Sequence, residues 1–230
     1  MSAVTPDRDG PETRGVRLVV VLLALMTVSG LIDAVSYLGL GHVFTANMTG
    51  NIVILGFAAA GAPGFSVPHA ATSLACFVVG ATVGGRVAGR FGGGSRRTWT
   101  RVILVAEAAL LAGSAALAGF ARPHSAATTY SLIALTAFAM GLRNANVRKL
   151  GVPDLTATTV LTTTLTGLVS ESRFGDATSR RSPRRAAAVL ALIGGAVLGA
   201  WLVLHHGLGI PLLAAAAVSG VFAVAASGRE

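Results

Sequence analysis

Residues Gly30–Gly56 read GLIDAVSYLGLGHVFTANMTGNIVILG, an apolar stretch interrupted by an aspartate, two asparagines and several glycines. A related stretch, GLRNANVRKLGVPDLTATTVLTTTLTG, occupies Gly141–Gly167, which lies 111 residues further along. Pairing the two without gaps gives six identities: Gly30 with Gly141, Leu31 with Leu142, Ala34 with Ala145, Thr45 with Thr156, Ala46 with Ala157 and Gly56 with Gly167. This spacing predicts an internal repeat, and repeats of this size underlie many membrane transport folds.

The composition indicates a protein of the lipid bilayer. Of the 230 residues, 53% are hydrophobic and 12% are charged, and the mean hydropathy is +0.72. An ordinary soluble domain has about 25% charged residues, so this chain is too apolar to be one. The net charge of +9 does not indicate nucleic-acid binding, because the basic residues lie in short segments between apolar runs.

The long apolar runs predict six membrane-crossing helices. A helix rises about 1.5 Å per residue, so about 20 residues cross the hydrocarbon core. The predicted crossings are residues 17–40, 69–90, 101–121, 126–142, 186–206 and 208–226. Two shorter runs, residues 43–61 and 155–170, are predicted to be broken or re-entrant helical segments.

The basic residues predict the orientation, because loops rich in Lys and Arg remain in the cytoplasm. They concentrate in four places: the N-terminus, the loop 91–100 with its flanks, the connection 143–154 and the loop 171–185. With all four on one side, segment 43–61 must begin and end outside. Segment 155–170 must likewise begin and end inside, so each segment enters the membrane and returns.

The predicted fold is therefore an all-α integral membrane protein built from two inverted-topology repeats. Residues 1–16 form a polar cytoplasmic tail, 17–121 the first repeat and 126–226 the second, and the repeats make one membrane domain with both termini in the cytoplasm. The alternative has eight spans in two parallel repeats. It would place the loop with Arg96 and Arg97 outside, against the charge rule.

Polar residues in the two interrupted stretches are the candidate site, since broken helices are tolerated in a membrane where they line a cavity. The candidate solute-binding residues are Asp33, Asn47, Thr49, Asn51, Asn144, Asn146, Thr159, Thr162 and Thr163. The positive ends of two half-helices would favour anionic or hydrogen-bonding groups. Alternatively, the threonines bond to their own helix and pack between spans.

Two acidic residues lie within predicted spans. Asp33 is interpreted as a site for a coupling proton or cation, or as the partner of a base such as Arg143; the alternative is a structural cap. Glu107 is expected to pair with Arg101 or another cytoplasmic arginine. Small residues at helical spacing, such as Gly80 with Gly84, predict helix-packing faces within one chain or between chains, which allows an oligomer.

Enzyme motifs are sparse. The sequence lacks HExxH, GxSxG and a pair of carboxylates on one span, so no enzyme activity, metal or cofactor is expected. An intramembrane enzyme is the least favoured alternative, since a site can assemble from distant helices. The single cysteine, Cys76, rules out an intrachain disulfide.

Two motifs carry a family resemblance. The run VFTANMTGN, Val43–Asn51, and the run GLRNANVRKLG, Gly141–Gly151, resemble the YoaK-like family of bacterial multi-pass membrane proteins. The resemblance implies a bacterial plasma (inner) membrane protein of unknown function, and it implies no substrate.

The predicted function is that of a small-solute transporter or permease, with its site between the two polar broken helices. The expected partners are the lipid bilayer and a small solute, anionic or hydrogen-bonding, with no nucleic acid. The alternative is a non-transport membrane scaffold or accessory protein, whose polar segments would serve packing.

Overall fold

A computed structural model of the chain describes residues 11–90, 96–120, 125–150, 166, 169 and 182–225. Within these residues the chain is helical and contains no β-strand. The helices are α1 (Pro11–Gly39), α2 (Met48–Ala59), α3 (Val67–Arg90), α4 (Arg96–Phe120), α5 (Ala126–Leu150), α6 (Ser182–His206) and α7 (Gly209–Ala225). The predicted segment 155–170 lies outside the described residues, apart from helical Thr166 and Val169.

Four helices are long and apolar enough to cross a membrane: Val19–Gly39, Val67–Arg90, Thr98–Phe120 and Pro183–His206. They coincide with four of the six predicted crossings. The other two runs belong to α5, whose last two turns contain Arg143, Arg148 and Lys149, and to α7, which has 17 residues. Length and composition thus establish a helical membrane protein with four clear candidate spans, fewer than the six predicted.

Helix α5 is longer than the sequence predicts. Its predicted end was residue 142, with 143–154 as a connection, but the helix continues to Leu150. The reason is local: residues 143–150 contain neither glycine nor proline, and the first breakers are Gly151 and Pro153. Arg143, Asn144 and Asn146 are consequently helix residues rather than loop residues. At the other end of the chain, α1 already begins at Pro11, inside the interval predicted as a tail.

Glycines bring two helix pairs into close contact. In the pair of α1 and α6, a Cβ on Gly195 would overlap the backbone of Thr27, and one on Gly199 would lie 2.7 Å from the carbonyl oxygen of Leu31. Only glycine therefore permits this backbone approach. Because the numbering rises together along both helices, α1 and α6 run in the same direction.

The pair of α3 and α5 repeats this arrangement. A Cβ on Gly80 would overlap the backbone of Phe138, and one on Gly84 would lie 3.0 Å from the carbonyl oxygen of Leu142, so these helices are also parallel. An offset of 111 residues relates α1 to α5 and α3 to α6. It also relates α4 to α7, which pack against each other.

The apolar core lies where α1, α4, α5 and α7 meet. Ile32, Leu111, Ile133 and Leu212 are fully buried there, and their side chains belong to one continuous cluster. Outside this core, large apolar side chains such as Leu204 and Val224 are more than two-thirds exposed. Exposed apolar side chains at such density are expected of a surface that faces lipid.

Candidate functional site

The chain reverses direction directly after α1. The helix ends at Gly39, and the next turn contains Gly41 at φ 87° and His42 at φ 58°, both in the left-handed region. The imidazole of His42 lies 3.1 Å from the carbonyl oxygen of Gly64, in the turn that leads into α3. Residues 40–47 are thereby directed back along α1, and glycine at position 41 adopts the left-handed conformation of this turn without a Cβ clash.

Asp33 holds the returning segment. Its Oδ1 atom accepts hydrogen bonds from the backbone N–H groups of Thr45, Ala46 and Asn47, at 3.2, 2.8 and 3.2 Å. These residues immediately precede α2, so the carboxylate sits at the positive end of that helix. Asp33 lies six residues before the end of α1, so α2 begins beside α1 at a level about 9 Å back along the helix axis from that end.

Asp33 thus has a structural role at the entry of α2, and its interpretation as a proton or cation site stays a prediction. Its side chain is 9% exposed, and three amide donors share one oxygen, which is the environment of an ionised carboxylate. The Asp33 carboxylate already balances the partial positive charge at the start of α2. This helix end therefore does not attract an anion, as it would if no carboxylate were there.

Asn51 fixes the other side of the segment. Its Oδ1 accepts a hydrogen bond from the Phe44 amide at 2.8 Å, and its Nδ2 donates to the Phe44 carbonyl and to Ser73 Oγ of α3 at 3.0 Å. The Ser73 hydroxyl also donates to the Phe44 carbonyl, at 2.6 Å. Asn51 is fully enclosed and serves to attach the segment to α3.

A cavity of about 690 Å³ lies between α1, the start of α2 and α6. Its polar wall consists of Asp33, Asn47 and Thr49, and the apolar wall includes Tyr37 and Phe44, whose rings stack at 4.9 Å. Asn47 occupies the N-cap position of α2, but its side chain makes no capping hydrogen bond. The side-chain amide of Asn47 is accordingly available to a ligand in the cavity.

Of the six candidate residues that the structure describes, three line this cavity, and Asn51, Asn144 and Asn146 do not. Asn144 donates from Nδ2 to the carbonyl of Met140 on its own helix at 2.9 Å. Asn146 is buried and accepts a hydrogen bond from Thr100 Oγ of α4 at 3.3 Å. Thr159, Thr162 and Thr163 lie outside the described residues.

A buried ion pair between Arg143 of α5 and Glu107 of α4 lies inside the bundle. Arg143 Nη2 and Nε donate to Glu107 Oε1 at 2.6 and 3.0 Å, and both side chains are at most 3% exposed. The Arg143 Nη1 atom donates to the carbonyl of Leu25 and to Ser29 Oγ of α1. Ser219 of α7 donates to the same Glu107 oxygen at 2.6 Å.

This ion pair bears on two expectations. Glu107 was expected to pair with Arg101 or another cytoplasmic arginine; Arg101 is exposed, and the partner is Arg143, from the stretch 143–154 that was predicted to be cytoplasmic. A base such as Arg143 was one of the partners considered for Asp33, and the hydrogen bonds of Arg143 to α1 go to Leu25 and Ser29 instead. The signal that could have identified the pair is that both charges have to be matched inside the bilayer.

No group of three or more His, Cys, Asp and Glu side chains that could hold a metal ion occurs in the described part of the chain. The cavity wall offers an amide, a hydroxyl, aromatic rings and the carboxylate of Asp33, which are groups for binding and orienting a ligand. The bundle of apolar helices, with paired charges in its interior, defines a helical integral membrane protein.

Comparison with known proteins gives the family. Residues 21–225 match the family described as "Protein of unknown function (DUF1275)", and the chain belongs to that family. The chain is also 34% identical over 154 residues to the UPF0700 transmembrane protein YoaK of Bacillus subtilis (strain 168). That match covers 65% of this chain and 65% of the relative, and it confirms the predicted YoaK-like resemblance. No solved structure matches the chain.

Proposed function

We propose that this protein is a small-solute transporter or permease whose site is the cavity between α1, α2 and α6. The observation that supports it is the helix α2, which begins about 9 Å below the end of α1, beside a cavity with a polar corner. Backbone that breaks at membrane depth is stable where it lines a cavity. Transport folds place their substrate sites at such discontinuous helices.

The solute is a neutral or cationic molecule with hydrogen-bonding groups. Asp33 gives the polar corner a negative charge, Asn47 and Thr49 offer an amide and a hydroxyl, and no basic residue is among the described residues of the wall. Most of the remaining wall is apolar or aromatic, as in ordinary small-molecule sites. Of the two solute classes predicted from the sequence, this wall favours the hydrogen-bonding one over the anionic one.

The proposed topology is two inverted repeats with six crossings. The end of α1 and the start of α3 lie together, since His42 contacts Gly64, so α1 and α3 cross in opposite directions. Helix α5 is parallel to α3, and its repeat equivalent α1 is therefore antiparallel to it. Segment 155–170 would then be the second re-entrant element, with the N-terminus and C-terminus in the cytoplasm of the bacterial plasma membrane.

Cysteine accessibility tests this proposal without knowledge of the solute. In a Cys76→Ser background, Asn47→Cys reports the cavity, Pro63→Cys the connection between α2 and α3, and Gly89→Cys the end of α3. A Cβ on Gly89 meets no atom within 4 Å, and Pro63 is exposed, so both reference positions tolerate the change. A membrane-impermeant maleimide is applied from either side of sealed vesicles.

The transporter predicts that Pro63→Cys reacts only from outside, Gly89→Cys only from inside and Asn47→Cys from both sides. A scaffold predicts that Asn47→Cys reacts from one side or from neither. Reaction of Pro63→Cys from the cytoplasmic side would overturn the re-entrant position of α2.

A further inference from the structure

The carboxylate of Asp33 is bound through one of its two oxygens. All three of its hydrogen bonds, from the backbone N–H groups of residues 45–47, go to Oδ1. Its Oδ2 accepts no hydrogen bond from the part of the chain that the structure describes. Asp33 also lines the cavity between α1, α2 and α6, although it is only 9% exposed. The oxygen that remains for a ligand in the cavity is therefore Oδ2.

The formal charge of the cavity wall is negative. Asp33 is the one charged residue among the described residues that line it. The backbone N–H groups at Oδ1 contribute partial charges, but no formal charge. Of the two buried arginines, Arg143 is paired with Glu107, and Arg185 is not part of the wall. A charged oxygen in surroundings of low dielectric constant favours a ligand with a positive charge.

The wall suits an organic cation better than a metal ion. Metal ions such as Mg²⁺ and Ca²⁺ take about six or more oxygen ligands. Side-chain oxygens occur on four of the described wall residues: Asp33, Tyr37, Asn47 and Thr49. The stacked rings of Tyr37 and Phe44 offer instead the aromatic surface that attracts ammonium groups. The volume of about 690 Å³ is also that of a site for an organic molecule.

The side of the cavity that α6 forms is apolar. Leu192, Ala196 and Ala200 are spaced by four residues, so they lie on one face of this helix. Val53 of α2 adds a further apolar side chain to the wall. A ligand that matches the whole cavity consequently has one positive group for Asp33 and an apolar body for α6.

We propose that the cavity binds an organic ammonium ion, which donates an N–H hydrogen bond to Oδ2 of Asp33 and packs its carbon body against the aromatic rings and α6. The side-chain oxygen of Asn47, which makes no capping hydrogen bond, is a second acceptor for the same group. The role of this ion as the transported solute rests on the proposed function, whereas its binding does not require transport.

The test uses three probes of similar shape and different charge: benzylammonium, benzyl alcohol and benzoate. Isothermal titration calorimetry measures their binding at neutral pH to the full-length protein in nanodiscs of zwitterionic lipid, with empty nanodiscs as the blank. Because hydrogen bonds between charged groups are the stronger ones, we expect benzylammonium to bind at least about tenfold more tightly than benzyl alcohol. Benzoate should not bind, and Asp33→Asn should lower the affinity for benzylammonium to that for benzyl alcohol.

A second pair of variants tests the place of binding without a change at Asp33. Ala196→Phe adds a ring to the cavity wall, and the matched control is Val197→Phe, because the neighbouring Val197 is 64% exposed and does not line the cavity. We expect Ala196→Phe to abolish binding of benzylammonium and Val197→Phe to leave it unchanged. This comparison decides the matter if Asp33→Asn does not fold.

The proposal is overturned if benzylammonium shows no saturable binding, or binds no more tightly than benzyl alcohol or benzoate. Equal affinities in Ala196→Phe and Val197→Phe, or an unchanged affinity in folded Asp33→Asn, would also overturn it. Displacement of benzylammonium by an equal concentration of sodium would show a site for a metal cation instead. If benzylammonium binds as expected but Asn47→Cys reacts from one side only, the transport function fails and the ammonium site stands.

Discussion

Asp33 is predicted to be the main anchor of the segment that leads into helix α2. Asp33→Ala removes the acceptor shared by the amides of residues 45–47, and Asp33→Asn retains an oxygen there but removes its charge. A hydrogen bond to a charged group contributes about 1.5–3 kcal/mol, and three donors on one oxygen do not add fully. We therefore expect a loss of about 3–5 kcal/mol for Asp33→Ala. Charge-assisted bonds are roughly twice as strong as neutral ones, so Asp33→Asn should lose about 1–2 kcal/mol.

Hydrogen exchange of the peptide that contains residues 43–51, measured by mass spectrometry in lipid nanodiscs, tests these values. Because each 1.4 kcal/mol is about a factor of ten, exchange should become roughly tenfold faster in Asp33→Asn and more than a hundredfold faster in Asp33→Ala. The matched control is Ser36→Ala on the same helix, a buried hydroxyl that donates to the Asp33 carbonyl at 3.2 Å. Equal exchange in Asp33→Ala and Ser36→Ala would refute the reasoning.

Two further predictions concern contacts between helices. Gly195→Ala places a methyl group against the backbone of α1 and should lower the free energy of unfolding by about 1–3 kcal/mol. Gly194→Ala is the control: its methyl group meets no atom within 4 Å, so the change should be neutral or stabilise the protein by up to about 1 kcal/mol. The midpoints of thermal unfolding in detergent compare the two variants, and equal midpoints would contradict the close contact. Arg143→Met leaves Glu107 buried and unpaired and should lower the free energy of unfolding by about 3–5 kcal/mol. Adding Glu107→Leu removes the unpaired charge, so the double variant should regain most of this loss. A double variant no more stable than Arg143→Met would contradict the pairing.

Local signals in the sequence were sufficient for the helices and for the break after α1. Apolar runs of about 20 residues define the spans, and the predicted crossing 17–40 ends within one residue of the end of α1 at Gly39. Small residues at helical spacing correctly identified packing faces. They did not identify which helix packs on which, because the same spacing serves any partner.

The role of Asp33 and the partner of Arg143 required tertiary structure. The acceptor Asp33 and its donors are separated by 12–14 residues, and Arg143 and Glu107 by 36. No periodicity connects such positions. The sequence could indicate only that buried charges need partners. The extension of α5 to Leu150 was missed for a related reason: charged residues were taken to end the span, although their side chains find partners in the bundle.

Helix α1 connects the central ion pair to helix α2. Its Leu25 and Ser29 accept hydrogen bonds from Arg143, and Asp33, one turn further on, holds the start of α2. These three residues are spaced by four, so they lie on one face of α1. On another side, α1 contacts α6 through glycines, which bring the two backbones close together. The same face of α1 therefore fixes the position of the ion pair and that of the start of α2.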